Sequence, residues 1–256
     1  MEEKPVIELP DGTKLGKTDF IRHFEEKVFY TIRHFNLLDK KEKVCIALSG
    51  GKDSLTLLSL MHRISLQNPN IALVAITINE GIHGYRDKTV ITAKKFCEKF
   101  DIPLHVYSYE EEFGMPLDDI LKVLDIKPCS ICGVFRRYLL NKKAKELGCT
   151  KLATGHNMDD ECQSVMMNQF KNNMQASARL GPMVGLKRHA GFIQRIKPLY
   201  LCSEKEVALY AFLQGILDDF IECPNVSKSY RAQVRDMLNN FESQFPGTKQ
   251  ALIHSL

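Results

Sequence analysis

The chain has 256 residues, of which 44% are apolar and 26% charged, and its formal net charge is +4. This composition is typical of a globular protein with a sizeable core, and the length suits one α/β domain plus a small appendage. Apolar runs fall short of the ~18–20 residues of a membrane span, and the acidic start at Met1 lacks the apolar segment of a secretory signal, so we expect a cytoplasmic protein without membrane contact.

Short apolar runs alternate with segments of helical periodicity along most of the chain. The runs predict buried strands, and apolar residues spaced three and four apart predict helices. The predicted elements are a helix at 18–35, a strand at 44–48, a helix from 55, a strand at 71–78, a helix at 86–100, a strand at 104–109, a helix at 131–147, a strand at 151–154, a helix at 158–170, a strand at 192–196, and helices at 203–214 and 229–245. Residues 172–191 are predicted to form a long polar loop, which is usually functional or disordered.

This alternation predicts the α/β class, with a doubly wound parallel five-stranded sheet, an N-terminal helix and a C-terminal helical extension. Ligands in such sheets bind at the carboxyl ends of the strands, near the point where the strand order reverses. The turns that follow Leu48 and Thr154 both lie at this edge.

The first of these turns is Ser49-Gly50-Gly51-Lys52-Asp53-Ser54, between a strand and a helix. Its two glycines let the backbone approach a ligand, and the helix N-terminus favours a phosphate. Lys52 can add a positive charge, Ser49 and Ser54 can donate hydrogen bonds, and Asp53 can hold Mg²⁺ or cap the helix. The turn is not a Walker A loop, because that pattern requires a glycine where Ile46 stands.

The second turn, Gly155-His156-Asn157, leads into the acidic run Asp159-Asp160-Glu161. Gly155 permits a tight turn beside the first loop, and His156 can contact nucleotide or nucleic acid. Acids at a helix N-terminus can simply complement the helix dipole. Three of them beside a phosphate site would repel ATP unless Mg²⁺ or a basic side chain intervenes, which favours a functional role for at least one.

Three of the eight cysteines are not explained by packing in predicted strands and helices. Cys129 and Cys132 form a Cys-x-x-Cys pair at a predicted helix N-terminus, where lowered thiol pKa values are expected. Such a pair can bind metal, hold an iron–sulfur cluster or carry out disulfide chemistry. Cys223 stands in a predicted loop, next to Pro224.

Positive charge is concentrated in residues 127–200, where thirteen Lys and Arg stand against four Asp and Glu, a net charge of 13 − 4 = +9. A basic region of this kind favours a polyanionic partner such as nucleic acid. A solvated surface beside a nucleotide pocket is the other interpretation.

The glycine loop resembles the signature of the PP-loop ATP pyrophosphatases, which have the adenine-nucleotide α-hydrolase-like fold. That family cleaves ATP between its α and β phosphates and adenylates a substrate oxygen. Over residues 16–247 the chain resembles the tRNA 2-thiouridine synthetases of the archaeal and eukaryotic type. Six stretches carry this resemblance: Ser49–Ser54, Glu80–Arg86, Cys129–Arg137, Ala153–Glu161, Arg195–Leu199 and Glu222–Pro224.

The resemblance implies that Cys129, Cys132 and Cys223 hold a [4Fe–4S] cluster, whose fourth iron would lack a protein ligand and could bind sulfide. It further implies that Asp160 is a catalytic acid. Arg136 stands where the family often has a basic catalytic Lys, and because Arg does not readily deprotonate, a proton-transfer role for it is in doubt.

The resemblance divides the chain into an N-terminal extension at 1–40, a PP-loop ATP-binding catalytic domain at 41–220, and a helical tail at 221–256 that carries the third cysteine. Family members usually have cysteine-rich zinc fingers at both ends. Residues 1–44 contain no cysteine, and no cysteine-rich stretch follows Cys223, so we expect no structural zinc.

The leading hypothesis is therefore a tRNA uridine 2-sulfurtransferase that uses ATP, Mg²⁺ and a [4Fe–4S] cluster. Its tRNA would bind along the basic residues Arg136, Arg137, Lys142, Lys143, Arg179, Lys187, Arg188 and Arg195. The sulfur donor would be free sulfide or a ubiquitin-like thiocarboxylate protein, and the resemblance implies a homodimer. The alternatives are a cluster-free enzyme with a persulfide on Cys129 or Cys132, a catalytically degenerate nucleotide-binding scaffold, and a small-molecule amidotransferase, which would leave the three cysteines unexplained.

Overall fold

The structure is a computed structural model that describes residues 3–124, 127–185, 191–216, 223–225 and 229–255. Its strands are β1 Ile7–Glu8, β2 Lys14–Leu15, β3 Glu42–Ala47, β4 Ile71–Asn79, β5 Leu104–Ser108, β6 Lys151–Thr154, β7 Met183–Val184 and β8 Gln194–Ile196. Its helices are α1 Lys17–His34, α2 Lys52–Gln67, α3 Arg86–Lys99, α4 Tyr109–Phe113, α5 Leu117–Val123, α6 Pro128–Glu146, α7 Met158–Phe170, α8 Met174–Ser177, α9 Glu204–Leu213, α10 Tyr230–Gln244 and α11 Thr248–His254.

The central sheet has the strand order β5–β4–β3–β6–β8–β7. The first five strands in this order are parallel, which confirms the predicted parallel arrangement. The sheet also has a sixth strand, β7, antiparallel to β8, inside the stretch that we predicted to be a loop. Two residues are too few to show a periodic pattern, so pairing with β8 rather than local sequence determines this strand.

Apolar layers cover both faces of the sheet, as a doubly wound fold requires. Successive side chains of a strand point to opposite faces, and β3 shows this directly. Ile46 packs into one core with Phe24 of α1 and Leu57 of α2, whereas Cys45 packs into the other with Leu139 of α6. The N-terminal helix therefore shares its core with the sheet.

The order of the strands reverses between β3 and β6. From β3 the chain moves outward to β4 and β5, and it then returns to place β6 on the other side of β3. Ala47 pairs with Thr154 at the ends of these two strands, so the turns that follow them lie side by side. We call the space at this edge the cleft.

The C-terminal helices pack on α7, where Val234, Leu238 and Ile253 share a small core with Cys162. We predicted that the last helix stops at Pro246-Gly247, but a further helix, α11, follows this break. The division of the chain at residues 40 and 220 stays a prediction. Within the described ranges, every helix is too short or too polar to cross a membrane.

Candidate active site

The loop that follows β3 has a backbone geometry that requires glycine. Gly50 has a φ of +84°, and a Cβ there would lie 2.2 Å from the carbonyl oxygen of Thr89. The Ser54 hydroxyl accepts the Ser49 backbone N–H at 3.1 Å and donates to the Gly51 carbonyl at 2.9 Å, which closes the loop on itself. In the described part of the chain no side chain caps α2 at Gly51, so its first N–H groups face a position suited to phosphate.

Lys52 lies beside two carboxylates at the start of α2. Its Nζ is 3.2 Å from Asp53 Oδ2 and 3.0 Å from Glu204 Oε1. Burial lowers the pKa of Lys52, but the two neighbouring carboxylates raise it by more. The side chain is therefore a cation at neutral pH. A nucleotide phosphate in the loop would compete with Glu204 for this cation.

The turn that follows β6 is joined to the first loop by Asn157. The Asn157 side-chain amide donates to Asp53 Oδ1 at 3.0 Å, while its Oδ1 accepts the Asp160 N–H at 3.1 Å as the cap of α7. Gly155 packs so closely that a Cβ would lie 2.9 Å from the Asp53 carbonyl carbon. We did not predict a site role for Asn157, although Asn three residues before Asp is a capping-box signal.

The three consecutive acids of α7 have different partners. Asp159 is buried, pairs with Lys249 and accepts the Glu204 N–H at 2.7 Å. Glu161 is also buried, and its Oε1 lies 2.6 Å from Lys197 Nζ. The charges of Asp159 and Glu161 are thus balanced inside the protein. Asp159 joins α7 to α11 through its ion pair with Lys249, and Glu161 joins α7 to the segment after β8 through its ion pair with Lys197.

Asp160 is the acid of this run that faces the cleft, and its side chain is 32% exposed. Its Oδ1 lies 3.6 Å from Nη1 of Arg231, which also donates to Gln163 Oε1 at 3.1 Å. Burial raises the pKa of the Asp160 carboxyl, and Arg231 opposes that shift. Sequence reasoning missed Arg231, because α10 meets α7 only through the tertiary fold.

His156 also lies in the cleft, where its Nδ1 is 2.9 Å from the Thr154 hydroxyl. Surrounding protein atoms and then the nearby Lys197 lower the pKa of its imidazole to about 4. At neutral pH His156 is therefore uncharged and can exchange hydrogen bonds with a ligand without adding charge.

A chain of ion pairs connects the nucleotide loop to the cysteine-bearing helix α6. Arg86 Nη1 donates to the Ser49 carbonyl at 2.8 Å, and Arg86 Nε lies 2.6 Å from Glu80 Oε2. The other oxygen of Glu80 lies 3.2 Å from Arg136 Nη1. The Glu80 and Arg86 side chains are 2% and 4% exposed, so this carboxylate cannot be compensated by water.

The Cys-x-x-Cys pair occupies the first turns of α6. Cys129 is exposed, with its Sγ 3.6 Å from the Asn225 carbonyl, which brings the segment of the half-buried Cys223 to this helix. Cys132 is buried beside the Tyr109 hydroxyl, which donates to its carbonyl at 2.8 Å. Burial raises the pKa of the Cys132 thiol although Arg136 opposes this, so the predicted lowering is wrong for Cys132. Burial likewise raises the pKa of Cys223.

The three thiols suit an iron–sulfur cluster by their chemistry. Cys223 lies within electrostatic range of Cys129, Cys132 and Arg136. Among residues 3–124, 127–185, 191–216, 223–225 and 229–255, no three Cys, His, Asp or Glu side chains lie in positions from which they could hold a metal ion together, so the three thiols would have to move closer to one another to share a cluster. Three thiol donors near the Arg136 guanidinium suit an anionic [4Fe–4S] cluster by their chemistry. Glu222, beside Cys223, lies outside the described residues.

The residues of the predicted basic surface have different partners in the structure. Lys142 and Lys143 both pair with Glu112, and Lys143 Nζ also lies 3.2 Å from Glu146 Oε2, so two carboxylates balance these two cations. Arg195 donates to the Arg137 carbonyl at 3.3 Å. Burial and then Arg137 lower the pKa of Arg195, whereas burial and then Arg136 lower the pKa of Arg137. Lys187 and Arg188 lie outside the described residues.

Comparison with known proteins identifies relatives of this chain. Residues 22–241 match the family model described as a PP-loop domain. The tRNA 2-thiolation protein NcsA of Haloferax volcanii is 40% identical, over 94% of this chain and 79% of the relative. The cytoplasmic tRNA 2-thiolation protein 1 of Danio rerio is 35% identical, over 99% of this chain and 75% of the relative. The structure of the U34-tRNA thiolase NcsA from Methanococcus maripaludis with its [4Fe–4S] cluster is similar, with a TM-score of 0.88 and 37% identity over 98% of this chain and 82% of that one.

Substitution of Gly155 tests the contact between the two loops. In Gly155→Ala the new Cβ would press on the Asp53 carbonyl and on the Ser54 N at 3.0 Å, which displaces the start of α2. We expect the affinity for Mg-ATP, measured by calorimetry, to fall at least about tenfold, or 1.4 kcal/mol. Gly133→Ala on α6, where a Cβ meets a movable Arg137 side chain, is the control and should bind normally. Unchanged affinity in Gly155→Ala would contradict the close packing of the loops.

Substitution of Glu80 tests the buried ion pairs. Glu80→Gln leaves Arg86 buried without its carboxylate, so we expect the free energy of unfolding in urea to fall by about 3–5 kcal/mol. The control is Asp119→Asn, which breaks an exposed pair with Lys122 that solvent already screens, and it should leave the free energy of unfolding almost unchanged. Equal losses for the two variants would show that Glu80 does not stabilise the fold as described.

Proposed function

This chain belongs to the PP-loop family, within the branch of the tRNA 2-thiolation proteins, and on that premise we propose that it is an ATP-dependent tRNA uridine 2-sulfurtransferase. Its product is 2-thiouridine in tRNA. We assign uridine 34 as the target, because the similar solved structure is that of a U34-tRNA thiolase.

The observation that supports this function is the connection between two kinds of site. A phosphate loop alone fits many ATP-dependent enzymes, and a cysteine pair alone fits many metal or redox proteins. Here the buried Glu80 holds both Arg86, which donates to the loop, and Arg136, which lies beside the thiols. An enzyme that activates an oxygen with ATP and replaces it with sulfur needs these two sites together.

The activation step takes place at the Ser49–Ser54 loop. The phosphates of ATP lie against the N-terminus of α2. There Lys52 releases the Glu204 carboxylate and pairs with a phosphate oxygen instead, and Asp53 helps to hold Mg²⁺. The uridine O2 attacks the α-phosphorus, the bond to pyrophosphate breaks, and the proton leaves N3, so the O2 becomes adenylated. Asp160 faces this position and serves as the base that accepts the N3 proton.

The sulfur step exchanges the activated oxygen. A sulfur nucleophile adds at C2, the C2–O bond breaks, and AMP leaves with the former O2. Arg136 keeps its positive charge beside Glu80, so its role is to stabilise developing negative charge rather than to transfer a proton. Cys129, Cys132 and Cys223 would hold a [4Fe–4S] cluster, which would supply an iron able to take up sulfide.

The reaction also needs a sulfur donor, and the proposal includes the oligomeric state and location of the protein. The sulfur donor is free sulfide or a ubiquitin-like thiocarboxylate protein, and the active form is a homodimer. We place the protein in the cytoplasm as part of this proposal, and the name of one relative, the cytoplasmic tRNA 2-thiolation protein 1 of Danio rerio, supports that location.

Substitution of Cys129 tests the cluster-based mechanism. Protein purified without oxygen should contain iron, and Cys129→Ala should lose both the iron absorbance and tRNA thiolation. Cys97→Ala is the control: Cys97 is buried in the core, which raises the pKa of its thiol to about 11 and keeps it inert. Thiolation by iron-free protein with one disulfide formed per turnover would support a persulfide mechanism instead. ATP binding without AMP release would indicate a degenerate scaffold.

The pH dependence of thiolation tests the role of Asp160. Burial raises the pKa of Asp160, Arg231 opposes that shift, and the negative charges of Glu204 and Asp159 add to it. Arg231→Gln should therefore move the limb of the kcat/KM profile that Asp160 controls to higher pH, and Asp160→Asn should identify that limb by removing it. The control Arg235→Gln, on the same helix beside Asp236, should leave the profile in place. An identical profile in Arg231→Gln would contradict this role.

A further inference from the structure

One long segment of the chain contains no acidic residue. Residues 162–203 include no Asp or Glu, but they include six Lys and Arg. Of the four cations within the described residues, Lys197 is used to neutralise Glu161. Lys171 and Arg179 are exposed, whereas Arg195 is half-buried and donates to the Arg137 carbonyl. Exposed cations in a segment without acids suit a polyanion.

Large apolar side chains lie exposed beside these cations. At the end of α7 the Phe170 side chain is 54% exposed, Met174 in α8 is 57% exposed, and Tyr230 at the start of α10 is 37% exposed. Lys171 Nζ lies 4.8 Å from the centre of the Tyr230 ring, over its face. We call Phe170, Lys171, Met174 and Tyr230 the α7–α10 ridge.

The ridge adjoins the cleft. Tyr230 precedes Arg231, whose guanidinium reaches both the Asp160 carboxylate and Gln163. Phe170 lies seven residues after Gln163 on α7, so the two share one face of that helix, the face on which α10 packs. The aromatic rings therefore continue the surface that begins at the candidate catalytic acid.

We propose that the α7–α10 ridge binds unpaired bases of the RNA substrate, with Phe170 and Tyr230 stacking on them and Lys171 at the neighbouring phosphates. This inference rests on the proposed function, and it names the surface that positions the tRNA. Proteins recognise the loops of RNA by stacking splayed bases on aromatic side chains next to basic residues. A protein partner would suit the rings alone, but the acid-free positive segment around them favours a polyanion.

The experiment measures tRNA binding as a function of salt. Phe170→Ala and Tyr230→Ala should each weaken binding of an unmodified tRNA transcript by about fivefold to about a hundredfold, the usual loss of one stacking contact. Because stacking releases no counterions, the slope of log K against log salt should stay that of the wild type. Lys171→Gln should instead reduce that slope by about 0.7. Tyr230→Phe keeps the ring and should bind like the wild type.

Phe212→Ala is the matched control, since Phe212 is 76% exposed on α9 and the ridge does not include it. It should leave tRNA affinity unchanged, and unchanged Mg-ATP affinity would show that each ridge variant is folded.

If wild-type protein thiolates tRNA but the alanine variants bind it normally, the ridge proposal is overturned and the function stands. If these variants lose self-association and not tRNA affinity, the ridge is a protein interface and the proposal fails. If the wild type neither binds nor thiolates tRNA, the proposed function fails.

Discussion

The buried carboxylate of Glu80 lies between two guanidinium groups, and the arrangement of the site depends on it. Through Arg86 it fixes the carbonyl of Ser49, and through Arg136 it fixes the positive charge nearest the cysteines. An ion buried this deeply is stable only when its partners are in place. The nucleotide loop and the cysteine helix are thus held in a fixed relation before either binds anything.

The need of a buried charge for a partner also separates the roles of the three acids at the start of α7. Asp159 and Glu161 are buried and matched by Lys249 and Lys197, so they stabilise the position of the helix. Asp160 lies between them, faces the cleft and meets Arg231 at a longer distance. A carboxylate that is partly desolvated and only loosely paired is the kind of group whose protonation a substrate can change.

Much of this could be predicted from the sequence, because parallel strands and glycine turns have strong local patterns. The five parallel strands and the positions of Gly50 and Gly155 at one edge follow from those patterns. The partners of the acids could not be predicted, since Arg231 lies 68 residues along the chain from Gln163, and Lys249 lies 90 residues from Asp159. Nor could β7 and α11, which are short elements that depend on the surfaces they pack against. The position of Cys132 near a helix N-terminus predicted a lowered thiol pKa, but burial raises that pKa instead.

Nucleoside mass spectrometry of tRNA from a strain that lacks this chain tests most directly whether the protein thiolates uridine 34. We expect 2-thiouridine at position 34 to disappear in that strain and to return when the wild-type gene, but not one encoding Asp160→Asn, is restored. An unchanged level of 2-thiouridine at that position in the deletion strain would show that the protein does not carry out this reaction.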